Sequence, residues 1–359
     1  MTSNVTNIKQ PAYTNPYKLN MRLLKQILEK HRPSFAPVQW FHALLDPRIP
    51  QGAGKVVDDY GNIFVQVGDS EQTDVAFTCH LDTVARLNSK PPKVKITANG
   101  VLYVGNPEVA DCLGADCGAG IYLMLEMLEA GVHGRYCFFL DEEVGCHGSG
   151  FSVKDKTGFW TGIKAMISFD RQLDGIITTQ RFQRCCSEEF ALELAHRLNR
   201  HSGKLQSGIY TDSAEFMHVV PECTNIGVGY NFEHTPDETL DLNILGQLLN
   251  RCLDPWTFKD LPISRDPSEV HDPWSALGAA SAQQYPFDLP EKEDPDLLLA
   301  FREVSQLSKE QLIRWVKENP KEAAEYIMIF SDYGFKQELI EVGTKVIDDW
   351  GGYQNIVEG

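Results

Sequence analysis

The chain has 359 residues, of which 42% are hydrophobic and 23% charged, and it carries a formal net charge of −17 at pH 7. This length suggests one large α/β domain with an appendage, or two domains, and the composition is that of a globular protein with a full core. The negative charge argues against nucleic acid or an anionic membrane surface as the main partner.

The cysteines and the hydropathy of the chain predict its compartment. The nine Cys, an odd number without a repeating framework, fit a reducing cytosol better than a disulfide scaffold. No run approaches the roughly 18 apolar residues of a membrane span. Residues 1–20 are polar and lack the apolar core of a signal peptide. We therefore expect a cytoplasmic protein.

Helical and strand-like patterns alternate along the first two thirds of the chain. The predicted helices are residues 19–30, 117–128, 187–200 and 239–253. The predicted strands are two pieces within 56–67, then 75–79, a hairpin over 93–104, and 136–143, 165–169 and 224–230. This alternation predicts an α/β fold, a mostly parallel sheet with helices on both faces. In such sheets ligands collect beyond the carboxyl ends of the strands.

The character of the sequence divides the chain into four regions. Residues 1–18 are predicted to form a flexible N-terminal arm, and 19–253 a catalytic domain. Residues 254–295 hold seven Pro and little periodicity, which indicates a linker or a segment that wraps around the domain. Residues 296–359 have helical periodicity and are predicted to form a small all-α module.

An acidic stretch, Asp141-Glu142-Glu143, follows the apolar residues 136–140 without an intervening turn residue. Like charges at the end of a buried strand repel one another and lose hydration, so a cation or a shared proton must offset the cost. The stretch therefore indicates a metal site.

Further candidate ligands fall at or just after the predicted carboxyl ends of strands. The full set is His80, Asp82, Asp116, Glu142, Glu143, Asp170 and His234. Histidines and carboxylates in this number suit zinc or a similar divalent ion, and a bridging carboxylate would allow two sites. Asp82 can accept the second ring N–H of His80. Neighbouring residues at a strand end point differently, so one of Glu142 and Glu143 can bind metal while the other acts as a base.

Five motifs that contain these residues follow one another along the chain. They are His80-Leu-Asp82-Thr-Val, Leu113-Gly-Ala-Asp116-Cys-Gly-Ala-Gly, Asp141-Glu-Glu-Val-Gly145, Ser168-Phe-Asp170 and Glu233-His234-Thr-Pro-Asp-Glu-Thr. In this order they resemble the metal-site motifs of the co-catalytic di-zinc exopeptidases. That group includes zinc aminopeptidases, tripeptide-cleaving peptidases, carboxypeptidases and amino-acid deacylases.

The resemblance implies a role for each residue of the set. Two Zn²⁺ ions per chain are implied, with Co²⁺ or Mn²⁺ as alternatives, and Asp116 would bridge them. His80 and Asp170 would bind one ion, and Glu143 and His234 the other. Glu142 would be the general base and Asp82 the residue that orients His80.

Two departures from the family pattern leave details open. Many relatives have a second Asp where this chain has Cys117, whose thiol could be an inert neighbour or could alter the metal preference. In many aminopeptidases an Asp lies four positions after the final His, whereas here Asp237 is three and Glu238 four positions after His234. The residue that supports His234 is therefore undecided.

Other residues near the motifs are less favoured as ligands. His147 lies among glycines, which indicates a loop, and Cys112 is best explained as ordinary packing. Only about forty residues separate Asp170 from Thr211. This interval is too short for the inserted lid or dimerisation domain of the carboxypeptidase and deacylase branch, so the chain resembles the lid-free aminopeptidase branch.

Three functions follow from these observations. The first is a di-zinc aminopeptidase acting on short peptides, and the second an N-acyl amino acid deacylase or carboxypeptidase. The second requires an arginine for a substrate carboxylate, for which Arg181 and Arg184 are the candidates. The third, a catalytically silent binding protein, is disfavoured because Glu142 and Asp82 are both retained. A homo-oligomer is also expected, with residues 254–295 long enough to reach a neighbour.

Overall fold

A computed structural model of the protein describes residues 13–69, 74–154, 159–180, 183–200, 205–208 and 210–269. The helices are α1 Met21–Leu28, α2 Gln39–Leu45, α3 Ala115–Glu129, α4 His147–Ser152, α5 Glu188–Arg197, α6 Asp212–Glu215 and α7 Leu242–Cys252. The strands up to residue 139 are β1 Gly54–Val57, β2 Ile63–Val67, β3 Val75–His80, β4 Val94–Ile96, β5 Val101–Val104 and β6 Gly134–Phe139. The later strands are β7 Ala165–Arg171, β8 Ile176–Gln180, β9 Gln183–Arg184, β10 Leu205–Ser207, β11 Glu222–Gly227, β12 Tyr230–Asn231 and β13 Thr239–Asp241.

A large mixed sheet forms the centre of the domain. Its strand order is β1-β2-β6-β3-β7-β11-β8-β10, and β9 pairs with β8. The four central strands β6, β3, β7 and β11 are parallel to their neighbours in this group, whereas β1, β2 and β8 join antiparallel. The predicted α/β sheet flanked by helices is therefore confirmed. Because β6, β3 and β7 are parallel and adjacent, their carboxyl ends lie side by side at one edge of the sheet.

Helix α3 packs directly on the central strands. Nearly all of its residues are buried, because its sequence is apolar on every side. A Cβ at Gly120 would collide with the carbonyl oxygen of Phe169, so a glycine there lets the helix approach β7 closely. Gly114 precedes the helix with φ of +71°, a left-handed conformation that favours glycine. The two glycines fix where the start of α3 meets the sheet.

A second, smaller sheet has the strand order β12-β13-β5-β4, with all pairs antiparallel. The predicted hairpin over 93–104 is confirmed as β4 and β5. The predicted helix over 239–253 begins only at Leu242, because residues Thr239–Asp241 pair with β5 instead. The predicted strand over 136–143 likewise ends at Phe139, so Glu142 and Glu143 lie in the loop beyond it.

The ends of the described chain pack against the domain. Tyr13 and Tyr17, within the predicted flexible arm, pack on the core, while residues 1–12 lie outside the described residues. Phe258, in the predicted linker or wrapping segment, is buried with its ring 4.7 Å from that of Phe77. This part of the segment therefore packs against the domain. The rest of that segment and the predicted helical module, 296–359, lie outside the described residues.

Within the described part of the chain, no helix combines the length and the apolar character that crossing a membrane requires.

Candidate metal centre

The five predicted metal ligands converge at the carboxyl edge of the central sheet. His80 is the last residue of β3, and Asp170 lies one residue before the end of β7. Asp116 is the second residue of α3, which follows β5 of the second sheet along the chain. Glu143 lies in the loop after β6. His234 lies between β12 and β13, with φ of +64°.

Asp116 lies between two groups of side chains. Its Oδ1 is 2.9 Å from Nε2 of His80, which is itself 3.3 Å from Oδ1 of Asp170. Its Oδ2 is 3.1 Å from Nε2 of His234, which is 3.0 Å from Oε2 of Glu143. Each histidine nitrogen therefore faces two carboxylates, and Asp116 is common to both groups. The two groups are the pairs of side chains that the resemblance would assign to separate ions, and that assignment stays a prediction.

Burial and mutual repulsion perturb the carboxylates of this centre. Burial, together with the charge of Asp116, raises the pKa of Glu143 to about 7 and that of Asp170 to about 6. Burial would also raise the pKa of Asp116, but hydrogen bonds with His234 and His80 outweigh it and hold that pKa low. A cluster of this kind needs positive charge to offset its repulsion.

The pKa values of the two histidines are raised as well, because the neighbouring carboxylates favour their charged forms. Hydrogen bonds with Asp116 and Glu143 raise the pKa of His234 to about 11. Burial lowers the pKa of His80, but the charges of Asp170 and Glu142 outweigh burial and hold it well above its ordinary value. In the metal-free protein these imidazolium groups supply the positive charge that the carboxylates require.

Glu142 is buried beside the two groups without joining either closely. Its Oε2 lies 3.9 Å from Nε2 of His80, and the thiol of Cys146 lies 3.6 Å from its Oε1. Burial raises the pKa of Glu142 well above its ordinary value, and the charges of Asp170 and Glu143 act in the same direction against that of His80. Burial therefore favours the protonated form of this carboxyl group more than in an exposed glutamate.

Asp82 connects His80 with the acidic loop. Its Oδ1 accepts the backbone N–H of Glu142 at 3.1 Å, and its Oδ2 accepts that of Glu143 at 3.3 Å and the hydroxyl of Ser34 at 2.7 Å. Oδ1 also lies 3.4 Å from Nδ1 of His80. A single buried carboxylate thus positions the histidine ring and the loop that carries both glutamates.

Asp170 has two positioning partners that the sequence did not reveal. The hydroxyl of Thr211 donates to Oδ2 of Asp170 at 2.7 Å. The side chain of Asn225 accepts the backbone N–H of Asp170 and donates to its carbonyl. Asn225 lies on β11, beside β7 in the sheet, so only the strand order brings it to the site.

Glu238 holds the loop of Asp116. Its two carboxylate oxygens accept the backbone N–H groups of Gly114 and Asp116 at 2.8 and 3.0 Å. Burial raises the pKa of Glu238 to about 7. Asp237 and Glu238 were the two candidates for the residue that supports His234. Asp237 is exposed, and Glu238 contacts the backbone N–H of Asp116 instead.

Arg32 is a buried cation that joins two of the ligand loops. Its guanidinium donates to the carbonyls of Leu81 at 3.2 Å and Gly114 at 2.5 Å. Only 1% of the residue is exposed, and burial lowers its pKa. Arg32 therefore ties the loop after β3 to the loop before α3.

Four other candidates from the sequence lie outside the two groups. Asp141 faces away, where its carboxylate accepts the N–H of Phe35 and the hydroxyl of Tyr60. His147 begins α4 with its ring 6.4 Å from that of Phe35. Cys112 is buried, and Arg184 is exposed on β9, while Arg181 lies outside the described residues.

Cys117 is close to the centre but bonded elsewhere. Its thiol donates to the carbonyl of Phe169 at 3.1 Å, and burial raises its pKa well above the ordinary value. Its sulfur nevertheless lies within 4.8 Å of ligand atoms of His80 and Asp170. The thiol therefore lies beside the candidate metal centre and makes its hydrogen bond to the backbone of β7.

A cavity of about 150 Å³ opens onto the two groups. Its described lining comprises four residues of the centre together with Glu142, Arg171, Ile177, Gln180, Gly208, Tyr210, Asn225, Tyr230 and Glu233. The four are Asp116, Glu143, Asp170 and His234. A small molecule or the end of a peptide can therefore reach the centre.

The residues of the centre fit divalent metal ions. Ligand atoms of His80, Asp116 and Glu143 lie within 4.8 Å of one another, and Oε1 of Glu143 is buried without a hydrogen-bond partner among the described residues. The centre offers two imidazoles and three carboxylates, one of which is the shared Asp116. These are donor types that zinc prefers in proteins.

Comparison with known proteins identifies the domain. Residues 62–240 match the sequence model of Peptidase family M28, and this range contains every predicted ligand. No curated protein sequence matches the chain.

Solved structures share the fold at low identity. A tripeptidase from Staphylococcus aureus has a TM-score of 0.53 at 13% identity, with 66% of this chain and 96% of that chain covered. Aminopeptidase PepT from Bacillus cereus has a TM-score of 0.55 at 13% identity, with coverage of 67% and 98%. A TET aminopeptidase from a marine sediment Thaumarchaeota archaeon has 0.51 at 12% identity, with coverage of 65% and 94%. The chain is therefore a metallopeptidase that is similar to Peptidase family M28 over residues 62–240 and shares the fold of these peptidase structures.

Proposed function

We propose that this peptide hydrolase is an aminopeptidase that holds two zinc ions and releases N-terminal residues from short peptides. The observation that carries the proposal is the position of Asp116, whose two oxygens face separate histidine–carboxylate groups. His80 and Asp170 would hold one ion, Glu143 and His234 the other, and Asp116 both. Bound in this way, two divalent ions would polarise the scissile carbonyl and lower the pKa of a water molecule.

Glu142 is proposed as the general base. Its carboxylate lines the cavity beside the ligands, and burial raises its pKa well above the ordinary value. A carboxylate with a raised pKa is a stronger base than an exposed glutamate, which suits a group that takes a proton from the attacking water and returns it to the leaving amine. Asp82 would keep the acidic loop and the ring of His80 in register through the three contacts described above.

The charge around the cavity favours an N-terminal over a C-terminal substrate end. Beyond the proposed ligands and the base, the wall carries the additional carboxylate of Glu233. A free α-ammonium group at the end of a peptide complements this negative charge. An N-acylated substrate would lack that group.

One observation keeps the deacylase or carboxypeptidase as a second candidate. These enzymes need a cation for a substrate carboxylate, and the sequence candidate Arg184 is exposed on β9. The structure brings Arg171 to the cavity wall instead. A positive charge at this position suits a carboxylate-bearing substrate of either kind.

The test combines metal analysis with a substrate panel on the purified full-length protein. About two zinc per chain, with chelator-sensitive release of free N-terminal amino acids from short peptides, supports the aminopeptidase. Two zinc with turnover only of N-acylated or C-terminal substrates selects the second candidate. Absence of metal and of turnover contradicts both proposals.

Compartment and assembly stay predictions. All nine cysteines lie in the described residues, and none forms a disulfide, which supports the proposed cytoplasmic location. The proposed homo-oligomer is tested by the mass of the protein in solution, where a monomer would contradict it.

A further inference from the structure

We propose that Arg171 binds a carboxylate of the substrate and thereby selects peptides in which such a group reaches the cavity wall. The inference rests on the proposed peptidase function of the same site and adds its substrate class.

The backbone holds Arg171 at the rim of the metal centre. It is the last residue of β7, directly after the proposed ligand Asp170, and its carbonyl accepts the N–H of Val228 at 2.8 Å. The residue also pairs with Gly227 of the neighbouring strand β11. The strand therefore fixes the backbone of Arg171 directly beside the proposed ligand Asp170.

The charges of the cavity make Arg171 distinctive. Five carboxylates line the cavity, those of Asp116, Glu142, Glu143, Asp170 and Glu233. Among the described lining residues Arg171 is the one lysine or arginine. Metal ions would offset the ligand carboxylates, so the guanidinium would remain available for an anionic part of the substrate.

The protein leaves one nitrogen of this guanidinium without a partner. Arg171 is half-buried, its Nε is buried without a hydrogen-bond partner, and it makes no ion pair with any described residue. Two other partly buried arginines make several hydrogen bonds to the backbone. Arg200 donates to the carbonyls of Asp174 and Gly227, and Arg265 to those of Pro221, Met217 and Val220. A partly desolvated guanidinium without partners costs free energy, which a bound anion recovers.

The chemistry of the guanidinium indicates which anion it binds. Its planar fork of donors matches the two oxygens of a carboxylate, and such charge-assisted pairs are about twice as strong as neutral hydrogen bonds. In a short peptide this carboxylate has two sources. It is either the side chain of an N-terminal Asp or Glu, or the C-terminal carboxylate of a dipeptide or tripeptide.

Two matched substrate pairs distinguish the sources on the zinc-loaded protein. Glutamyl and glutaminyl p-nitroanilide differ in the side-chain charge and lack a C-terminal carboxylate. Leu-Gly and Leu-Gly amide differ only at the C-terminus. We expect the anionic member of one pair to have a kcat/KM about 10- to 100-fold higher than its neutral partner, the size of one charge-assisted contact. The pair that shows the preference names the source.

Three variants assign the preference to Arg171. Arg171→Gln should abolish the preference, because kcat/KM for the anionic substrate falls to the level of the neutral one. The value of kcat/KM for the neutral substrate should stay within about threefold, which reports an intact fold. Arg171→Lys should keep part of the preference, because it retains the charge without the fork. Arg184→Gln, at an exposed arginine outside the described lining, should keep all of it.

The outcomes separate this inference from the proposed function. Turnover without preference in either pair, or a preference that survives Arg171→Gln, overturns the role of Arg171 and leaves the peptidase intact. If the zinc-loaded protein turns over none of the four compounds, the aminopeptidase proposal fails. The binding of the same compounds is then measured by calorimetry. Equal affinities for the anionic and neutral members overturn the role of Arg171 as well. Tighter binding of an anionic member supports the role if the difference in affinity disappears in Arg171→Gln.

Discussion

Asp116 is the side chain through which the two halves of the metal centre meet. Its low pKa keeps it ionised while the neighbouring Glu143 and Asp170 hold protons up to pH 7 and 6, respectively. The difference arises because Asp116 receives hydrogen bonds from both histidines. Asp116 therefore keeps its charge when its neighbours are protonated, as the proposed role of a bridging carboxylate would use.

Glu142 is expected to act in the chemistry without holding metal. In Glu142→Gln the side chain keeps its size and loses the ability to accept a proton. We expect zinc content to remain at about two per chain, while kcat falls by roughly 10²–10⁴-fold. Metal analysis and steady-state kinetics on the same sample measure both quantities. Glu108→Gln, at an exposed glutamate, is the matched control, and turnover of Glu142→Gln equal to that of the control would exclude the role.

Glu238 is expected to act through the backbone of Asp116. In Glu238→Gln only one side-chain oxygen remains, so the amide group faces either the N–H of Gly114 or that of Asp116. We expect zinc affinity to fall about tenfold through the displaced bridging ligand. Competition with a zinc chelator measures the change. The adjacent Asp237→Asn, at an exposed carboxylate, should leave the affinity unchanged, and equal affinities for both variants would show that Glu238 does not position the ligand.

At the scale of elements, the centre is assembled by the ends of neighbouring parallel strands. Strands β3 and β7 deliver His80 and Asp170, and the loop after β6 delivers the two glutamates. These positions were predictable from the sequence, because an apolar strand that runs into polar residues marks its own carboxyl end. The partners of these residues were not predictable. Asn225 and Arg32 are ordinary polar residues in the sequence, and only the strand order and the packing of α1 bring them to the site.

Arg32 connects two of these elements and should matter for stability. Arg32→Met would leave the carbonyls of Leu81 and Gly114 buried without their donor. We expect the free energy of unfolding of the metal-free protein to fall by about 2–4 kcal/mol. Urea denaturation at constant pH measures this quantity. Arg22→Met, at an exposed arginine on α1, should change it by less than about 0.5 kcal/mol. Equal losses in the two variants would mean that the buried contacts contribute little.

For the whole molecule, periodicity predicted the inner strands of the central sheet and the β4–β5 hairpin of the second sheet, but not β12 and β13. Strands of two or three residues such as β12 and β13 carry too little periodic signal, and the helical spacing of 242–252 extended the predicted helix over residues 239–241. Of the acidic stretch after β6, Glu142 and Glu143 lie at the candidate metal centre, and their roles there stay predictions. Asp141 belongs to the fold, because it turns to the N–H of Phe35, and a charge count along the sequence cannot show this direction.

The metal centre should also control how the stability of the whole domain depends on pH. In the metal-free protein the pKa values of Asp170 and Glu143 are raised to about 6 and about 7, and those of both histidines are raised as well. Each of these groups binds its proton more tightly in the folded than in the unfolded chain. Their stabilising contribution is therefore complete at low pH and is lost as pH rises. The lowered pKa values of Asp116 and Asp82 act in the opposite sense, but below about pH 4.

We therefore expect the metal-free protein to lose stability between pH 5.5 and 7.5, and zinc to add more stability at the upper end of that range. Zinc competes with protons for the same ligands, so the stabilisation at fixed free zinc grows as the ligands deprotonate. Urea denaturation with chelator and with buffered zinc, at three pH values, measures both trends. Glu143→Gln should flatten the metal-free trend, and Glu108→Gln should not. A metal-free protein that gains stability over this range would show that the buried carboxylates of the centre are not held protonated by the fold.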